Sequence, residues 1–174
     1  MHKDNKVYDS RGNCNAIIHT RSNALIRGCN KTTIPIGIVK IEKAAFDACS
    51  RLKSIVIPEG VMSIGNGTFA NCSVERVRLP DSLTCVESST FQGCEELIEI
   101  VLPNQLKYIR DGAFCSCSIL QYVRIPRSVE EIGDCAFRDC GMLETVRIEN
   151  RNVKMGEYVF DMCNKLKEVQ IEEL

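Results

Sequence analysis

The sequence is poor in the residues on which most hydrolytic and transfer chemistry depends. It contains no Trp and two His, His2 at the terminus and His19 in a turn-rich segment. A nucleophilic Ser or Cys needs a base held beside it, and neither position offers one. No glycine-rich phosphate loop, metalloprotease helix or nucleophile elbow is present, and the carboxylates are scattered over polar positions. These absences argue against an enzyme and against a bound cofactor. Long apolar runs are also missing: the longest, such as Ile55 to Ile57, are strand-length and broken by Pro or charge, so no membrane span of about 20 apolar residues is expected. The opening Met1-His2-Lys3-Asp4-Asn5 lacks the apolar core of a secretory signal, which reads as an intracellular protein or a processed or partial chain. A formal net charge of −1 gives no bias toward nucleic acid or acidic lipid.

Cysteine, by contrast, is abundant. There are 11 in 174 residues, an odd number, and six recur at Cys49, Cys72, Cys94, Cys117, Cys140 and Cys163. Every Phe in the chain lies three residues before one of them, at Phe46, Phe69, Phe91, Phe114, Phe137 and Phe160, with spacings of 23, 22, 23, 23 and 23. Self-similarity at this period marks a stacked repeat. An apolar residue follows each of these cysteines, then a strand of the form I-x-I/L-P, whose Pro at positions 35, 58, 80, 103 and 126 ends the ladder by removing an N–H. Glu149 takes that place in the next repeat. The single 22-residue interval arises because Cys72 and Val74 are two apart rather than three, which places the deletion in a turn. Apolar residues return three and six places after each proline, as in Val129 and Ile132, and mark a second inward-facing segment. Small residues before each Phe, as in Ala44-Ala45-Phe46 and Gly112-Ala113-Phe114, suit a short helical or 3₁₀ turn.

A 23-residue unit cannot bury its own apolar face, so neighbouring units must stack with parallel strands about 4.8 Å apart. The cysteines are then spread along the stacking axis rather than converged as zinc ligands would be, and their parallel Cβ vectors oppose disulfide formation between neighbours. They are expected to be buried free thiols. Cys85 and Cys115 fall in polar columns and are the exceptions.

The pattern L-x-x-I-x-I-P-x-x-V-x-x-I-G-x-x-A-F-x-x-C, read here from Leu120 through Val123-Arg124-Ile125-Pro126 to Phe137 and Cys140, resembles the BspA-type leucine-rich-repeat family. The likeness runs from about Ile34 to Leu174, and Val7 to Ile18 is similar to a non-repeat segment often found in gut-bacterial members. The resemblance implies an α/β leucine-rich-repeat solenoid, right-handed and β-rich, with a parallel sheet and short helical or 3₁₀ turns. It implies a secreted or surface-attached bacterial protein with a protein ligand, in some members a host extracellular-matrix protein, and no shared catalytic residues. The chain divides into an N-terminal segment, 1–33, and six repeats over 34–174, continuous as one domain. The repeat beginning at Glu149 departs from the pattern, with Asn152 and Met155 at usually apolar places, and the last strand carries little polar capping, so end-to-end self-association is the alternative to ligand binding.

Two short apolar runs around Thr20-Arg21-Ser22-Asn23 read as a β-hairpin that caps the first repeat. A two-residue loop at Arg21-Ser22 sets Cys14 opposite Cys29, where a disulfide fits; a longer loop with Asn23 left-handed shifts the register by one and removes it. Stacking also turns the outward strand positions into columns. One reads Thr33, Val56, Arg78, Val101, Arg124, Arg147, Gln170; two residues earlier runs Lys31, Ser54, Arg76, Glu99, Tyr122, Thr145, Glu168. Arg76, Arg78, Tyr122, Arg124 and Arg147 therefore share one face and are the candidate ligand contacts, since Arg and Tyr combine contact area with directed donors. Against this, Glu75, Glu99, Glu144 and Glu168 interleave and would form ordinary surface ion pairs. Mixed sign and a lone aromatic make this face a poor nucleic-acid surface.

Overall fold

A computed structural model describes residues 8–9 and 15–172. The repeats contribute strands to two parallel arrays. The I-x-I strands are β6 (Arg76–Arg78), β8 (Glu99–Val101), β10 (Tyr122–Ile125), β12 (Thr145–Ile148) and β14 (Glu168–Ile171), with Ser54 bridged to Arg76 ahead of them. The segments after each turn form the second array: β4 (Lys40–Ile41), β5 (Ser63–Ile64), β7 (Cys85–Val86), β9 (Tyr108–Ile109), β11 (Glu131–Ile132) and β13 (Lys154–Met155). Residues 23 apart pair directly, as in Val123 with Val146 and Ile109 with Ile132. Across the short repeat the partners are Ser54 and Arg76, 22 apart, so the turn absorbs the deletion and leaves the strand in phase. The chain is a parallel β-solenoid of six turns.

The core is a set of columns between the two arrays. The six Phe rings stack with centroids 5.0 to 5.7 Å apart, and five of the six are fully buried. Val77, Ile100, Val123 and Val146 build a second column, and Ile41, Ile64, Val86, Ile109 and Ile132 a third. Each column runs the length of the molecule, so burial is distributed and has no centre.

The expected helical turns are not there: none of the described residues is helical. Two positions per repeat adopt left-handed φ instead. One column is Ala44, Gly67, Ser89, Gly112, Cys135 and Tyr158; the other is Ala48, Asn71, Gly93, Ser116, Asp139 and Met162. A left-handed residue on either side of the Phe reverses the chain before a second helical hydrogen bond can form. The segment closes through successive i to i−3 bonds, such as Cys49 N to Phe46 O and Leu52 N to Cys49 O. The amides between these turns donate sideways, Phe46 N to Thr68 O and Phe69 N to Thr90 O, so even the bends are laddered to the next repeat.

At the N-terminal end β1 (Tyr8–Asp9) pairs antiparallel with β2 (Ile17–His19), β2 and β3 (Ala24–Arg27) form an antiparallel hairpin, and β3 pairs in parallel with β4. Asn23 is left-handed. Ile18 faces Leu25 and His19 faces Ala24, but a bulge between Ile17 and Ile18 sets Ile17 opposite Arg27. Both expected registers are therefore present, on opposite sides of that bulge. Cys14 lies outside the described residues, and so does its pairing with Cys29, whose exposed Sγ is 3.5 Å from the Asn15 carbonyl oxygen.

Candidate functional face and thiol ladder

Strands β6, β8, β10 and β12 alternate, with Val77, Ile100, Val123 and Val146 buried and their flanking residues outward. This brings Arg76, Arg78, Tyr122, Arg124 and Arg147 onto the outer face of one array. Arg124 sits directly opposite Arg147, and Arg78 directly opposite Val101. Like charges side by side on a sheet repel unless each has a partner. Both do. Arg124 Nε and Nη2 donate to the two oxygens of Glu149 at 2.7 and 2.8 Å, and Arg147 Nε donates to Glu172 at 2.9 Å. The Arg147 contact holds the Glu172 carboxyl below its ordinary range.

Glu149 and Glu172 both occupy the place that proline fills in earlier repeats. They lie two residues beyond the strand position opposite each arginine, which is the diagonal neighbour on the same face. The Glu149 side chain is only 13% exposed, so the fork is a fixed part of the surface, although with Arg124 at 41% it contributes on the order of 1 kcal/mol. Of the four carboxylates expected to neutralise this face, Glu99 pairs with Arg76 at 3.5 Å. The others go elsewhere: Glu75 to Lys53, Glu144 to Lys167, and Glu168 accepts from Gln170. Arg78 has no carboxylate partner among the described residues.

Two side chains not singled out from sequence complete the face. Val56 and Val101, either side of Arg78, are 82% and 43% exposed. Their signal was the column order Val, Arg, Val, in which an apolar residue recurs at an outward position. A shallow groove of about 380 Å³ lies beside Val56 and Arg78, floored by Ile57, Pro58, Leu79 and Pro80. A smaller one, about 180 Å³, runs by Val101, Tyr122 and Arg124.

The recurring cysteines are free thiols, all buried except the half-buried Cys49. From the second repeat on, each donates its S–H to the carbonyl of the Phe one repeat earlier: Cys72 to Phe46, Cys94 to Phe69, Cys117 to Phe91, Cys140 to Phe114 and Cys163 to Phe137, at 3.0 to 3.3 Å. Phe46, Phe69, Phe91 and Phe114 already accept one backbone N–H at that oxygen, so the thiol takes the second lone pair. Burial pushes Cys72 and Cys94 up to about 12, and Cys85 to about 11 beside Glu87. Cys117 is raised for the same reason. A thiol held protonated by the fold stabilises it below the thiol's unfolded pKa, and that stabilisation is lost as pH rises toward the folded value. The melting temperature should therefore fall steadily above about pH 9. At pH 8 iodoacetamide should modify the exposed Cys29 while Cys94 and Cys117 react only on unfolding, read by mass spectrometry of the peptides. Equal labelling of all three in the native state would contradict the ladder. Among the described residues no three His, Cys, Asp or Glu side chains converge on a metal position.

The sequence matches the BspA type Leucine rich repeat region in six copies, over residues 23–140 and 86–174. It finds no match among curated proteins. Among solved structures it is similar to the T. pallidum leucine-rich-repeat protein TpLRR, at 30% identity over 92% of this chain and 87% of that one, with a TM-score of 0.73. It is also similar to a leucine-rich cell surface protein of Faecalibacterium prausnitzii A2-165, at 26% identity and a TM-score of 0.66 over 97% of this chain. The chain spans 40% of the length of that protein. The pneumococcal vaccine antigen PcpA shares the fold at 18% identity, covering 90% of this chain and 35% of its own, with a TM-score of 0.62. With the repeat matched from residue 23 to residue 174 and the solenoid built on it, the chain belongs to the BspA-type leucine-rich-repeat family.

Proposed function

We propose that this solenoid is a recognition module displayed at or beyond a bacterial surface, and that it engages a protein ligand through the outer face of the I-x-I array. A leucine-rich-repeat scaffold of this family serves protein interaction. The observation that carries the finer reading is the exposed run of Val56, Arg78, Val101 and Tyr122 on a sheet face that no other layer of the described residues covers. The cell-surface description of the F. prausnitzii relative supports the location. The test is binding of the purified chain to a panel of host extracellular-matrix proteins by surface plasmon resonance. For any ligand found, replacing Val101 by Asp and Tyr122 by Ala together should weaken affinity by about tenfold or more, as loss of a central apolar contact and an aromatic does. Unchanged affinity overturns this reading.

A second reading rests on the far end of the stack. There Met155, Val169 and Ile171 occupy columns that are fully buried one repeat earlier, yet they are 37 to 49% exposed. The strands β13 and β14 also present unpaired edges, which suits a repeat-like occupant such as a second copy. Light scattering over a concentration series tests it, and a monomer throughout argues against self-association.

A further inference from the structure

The arginines of the outward column follow one rule with one exception. Arg124 is matched by Glu149, and Arg147 by Glu172, each acid standing two residues beyond the strand position opposite its arginine. For Arg78 that place is held by Pro103, which offers no acceptor to the face. Arg78 is thus exposed and unpaired among the described residues, between two exposed valines, at the edge of the groove over Pro58 and Pro80.

A guanidinium on a water-washed surface costs little when left alone, so being unpaired does not by itself define a site. The valines supply the independent observation. Val56 presents 82% of its surface and Val101 43%, in a column whose members beyond Val101 are Arg124, Arg147 and Gln170. An apolar residue, a free fork-shaped cation and a second apolar residue in adjacent repeats make a surface of definite chemistry. Its complement is a carboxylate flanked by aliphatic groups. We infer that the face around Arg78 docks an extended peptide segment of a partner protein in which an Asp or Glu side chain lies next to aliphatic side chains. The carboxylate takes at Arg78 the position that Glu149 takes at Arg124, accepting from the guanidinium, and the aliphatic neighbours cover Val56 and Val101. This deepens the proposed function and rests on it.

Glu59 stands at the rim of the same groove but is already engaged, its Oε2 accepting the Asp81 amide at 3.0 Å. It keeps its negative charge, and so disfavours a second carboxylate at its own side of the groove and steers an incoming one to Arg78. Arg124, held by two bonds to Glu149, has little to offer an incoming acid. The two arginines are chemically alike and functionally unequal.

Selection of a random dodecamer phage library on the immobilised full chain tests the inference, followed by synthesis of the enriched peptides and titration by fluorescence anisotropy. Enrichment of Asp or Glu beside Leu, Ile or Val is expected. Arg78→Glu and Val56→Asp should each weaken the peptides by roughly tenfold or more, as loss of a charge-assisted contact does. The exchange Lys107→Glu with Glu130→Lys, which preserves an exposed ion pair on the other array, should leave affinity within about twofold. Circular dichroism melts confirm that the exposed substitutions leave the fold intact. Peptides that lose affinity with Tyr122→Ala but not with Arg78→Glu overturn the inference while the recognition face stands. Peptides sensitive to none of these variants overturn both, as does an absence of enrichment. Decanoate competing at the peptide's own affinity would overturn the assignment to a peptide and point to a free fatty acid.

Discussion

Phe114→Ala is expected to destabilise the solenoid by about 3–5 kcal/mol, measured by urea denaturation. The ring is fully buried and lies between Phe91 at 5.4 Å and Phe137 at 5.0 Å. Its removal opens a cavity that the stack cannot close, because the strands on either side are fixed in register by backbone hydrogen bonds. Stability in a repeat protein is a sum of unit and nearest-neighbour terms, so a gap in the middle also uncouples the two halves. The unfolding curve should lose its single transition, or its slope, along with its midpoint. Phe160→Ala supplies the contrast. That ring has a single stacked neighbour, Phe137 at 5.7 Å, and is only partly buried, so the cost should be markedly smaller and the transition should stay cooperative. Equal costs at the two positions would show that the stack does not carry its stability in the way the ring column implies.

What could be read in the sequence, and what could not, follows from how each feature is encoded. The Phe, Cys and Pro columns are legible because stacking demands the same side chain at the same place in every turn, and six copies remove accident. The outward columns are legible for the same reason: once the period is known, Arg78 must lie beside Val101 and Arg124 beside Arg147. The turns are not helical although Ala44, Ala45 and Ala113 are good helix formers. Their φ values are set by the left-handed column, whose occupants Ala44, Ser89, Cys135 and Tyr158 share no side-chain chemistry. The recurrence of glycine there, at Gly67 and Gly112, was the available signal. The expected ion pair directly across the strands forms at Arg76 and Glu99 but not at Arg124 and Arg147. The bonds made by Arg124 and Arg147 run diagonally to the residue that replaces proline, so the loss of Pro at Glu149, which reads as a decaying repeat, is also what neutralises the face.

The second large effect concerns a single column tested at two depths. Val123 in β10 is fully buried opposite Val146, and Val123→Asp would place a carboxylate where no water or donor can reach it. Such a group either stays protonated or breaks the strand, and the expected cost is more than about 4 kcal/mol, enough to unfold a marginally stable domain at room temperature. Val169 occupies the same column two repeats on, in β14, and is 37% exposed. Val169→Asp in the isolated chain should cost only about 1 kcal/mol, because the carboxylate can turn to solvent from an edge strand. Thermal melts of both variants at two protein concentrations decide the matter. If Val169→Asp is nearly as damaging as Val123→Asp, the end column is covered in solution. The wild-type melting temperature must then rise with concentration, since association stabilises only the folded state. If Val169→Asp is mild and neither melt depends on concentration, the end-to-end reading falls. Of the two proposed partner surfaces, only the outer face around Arg78 is then left.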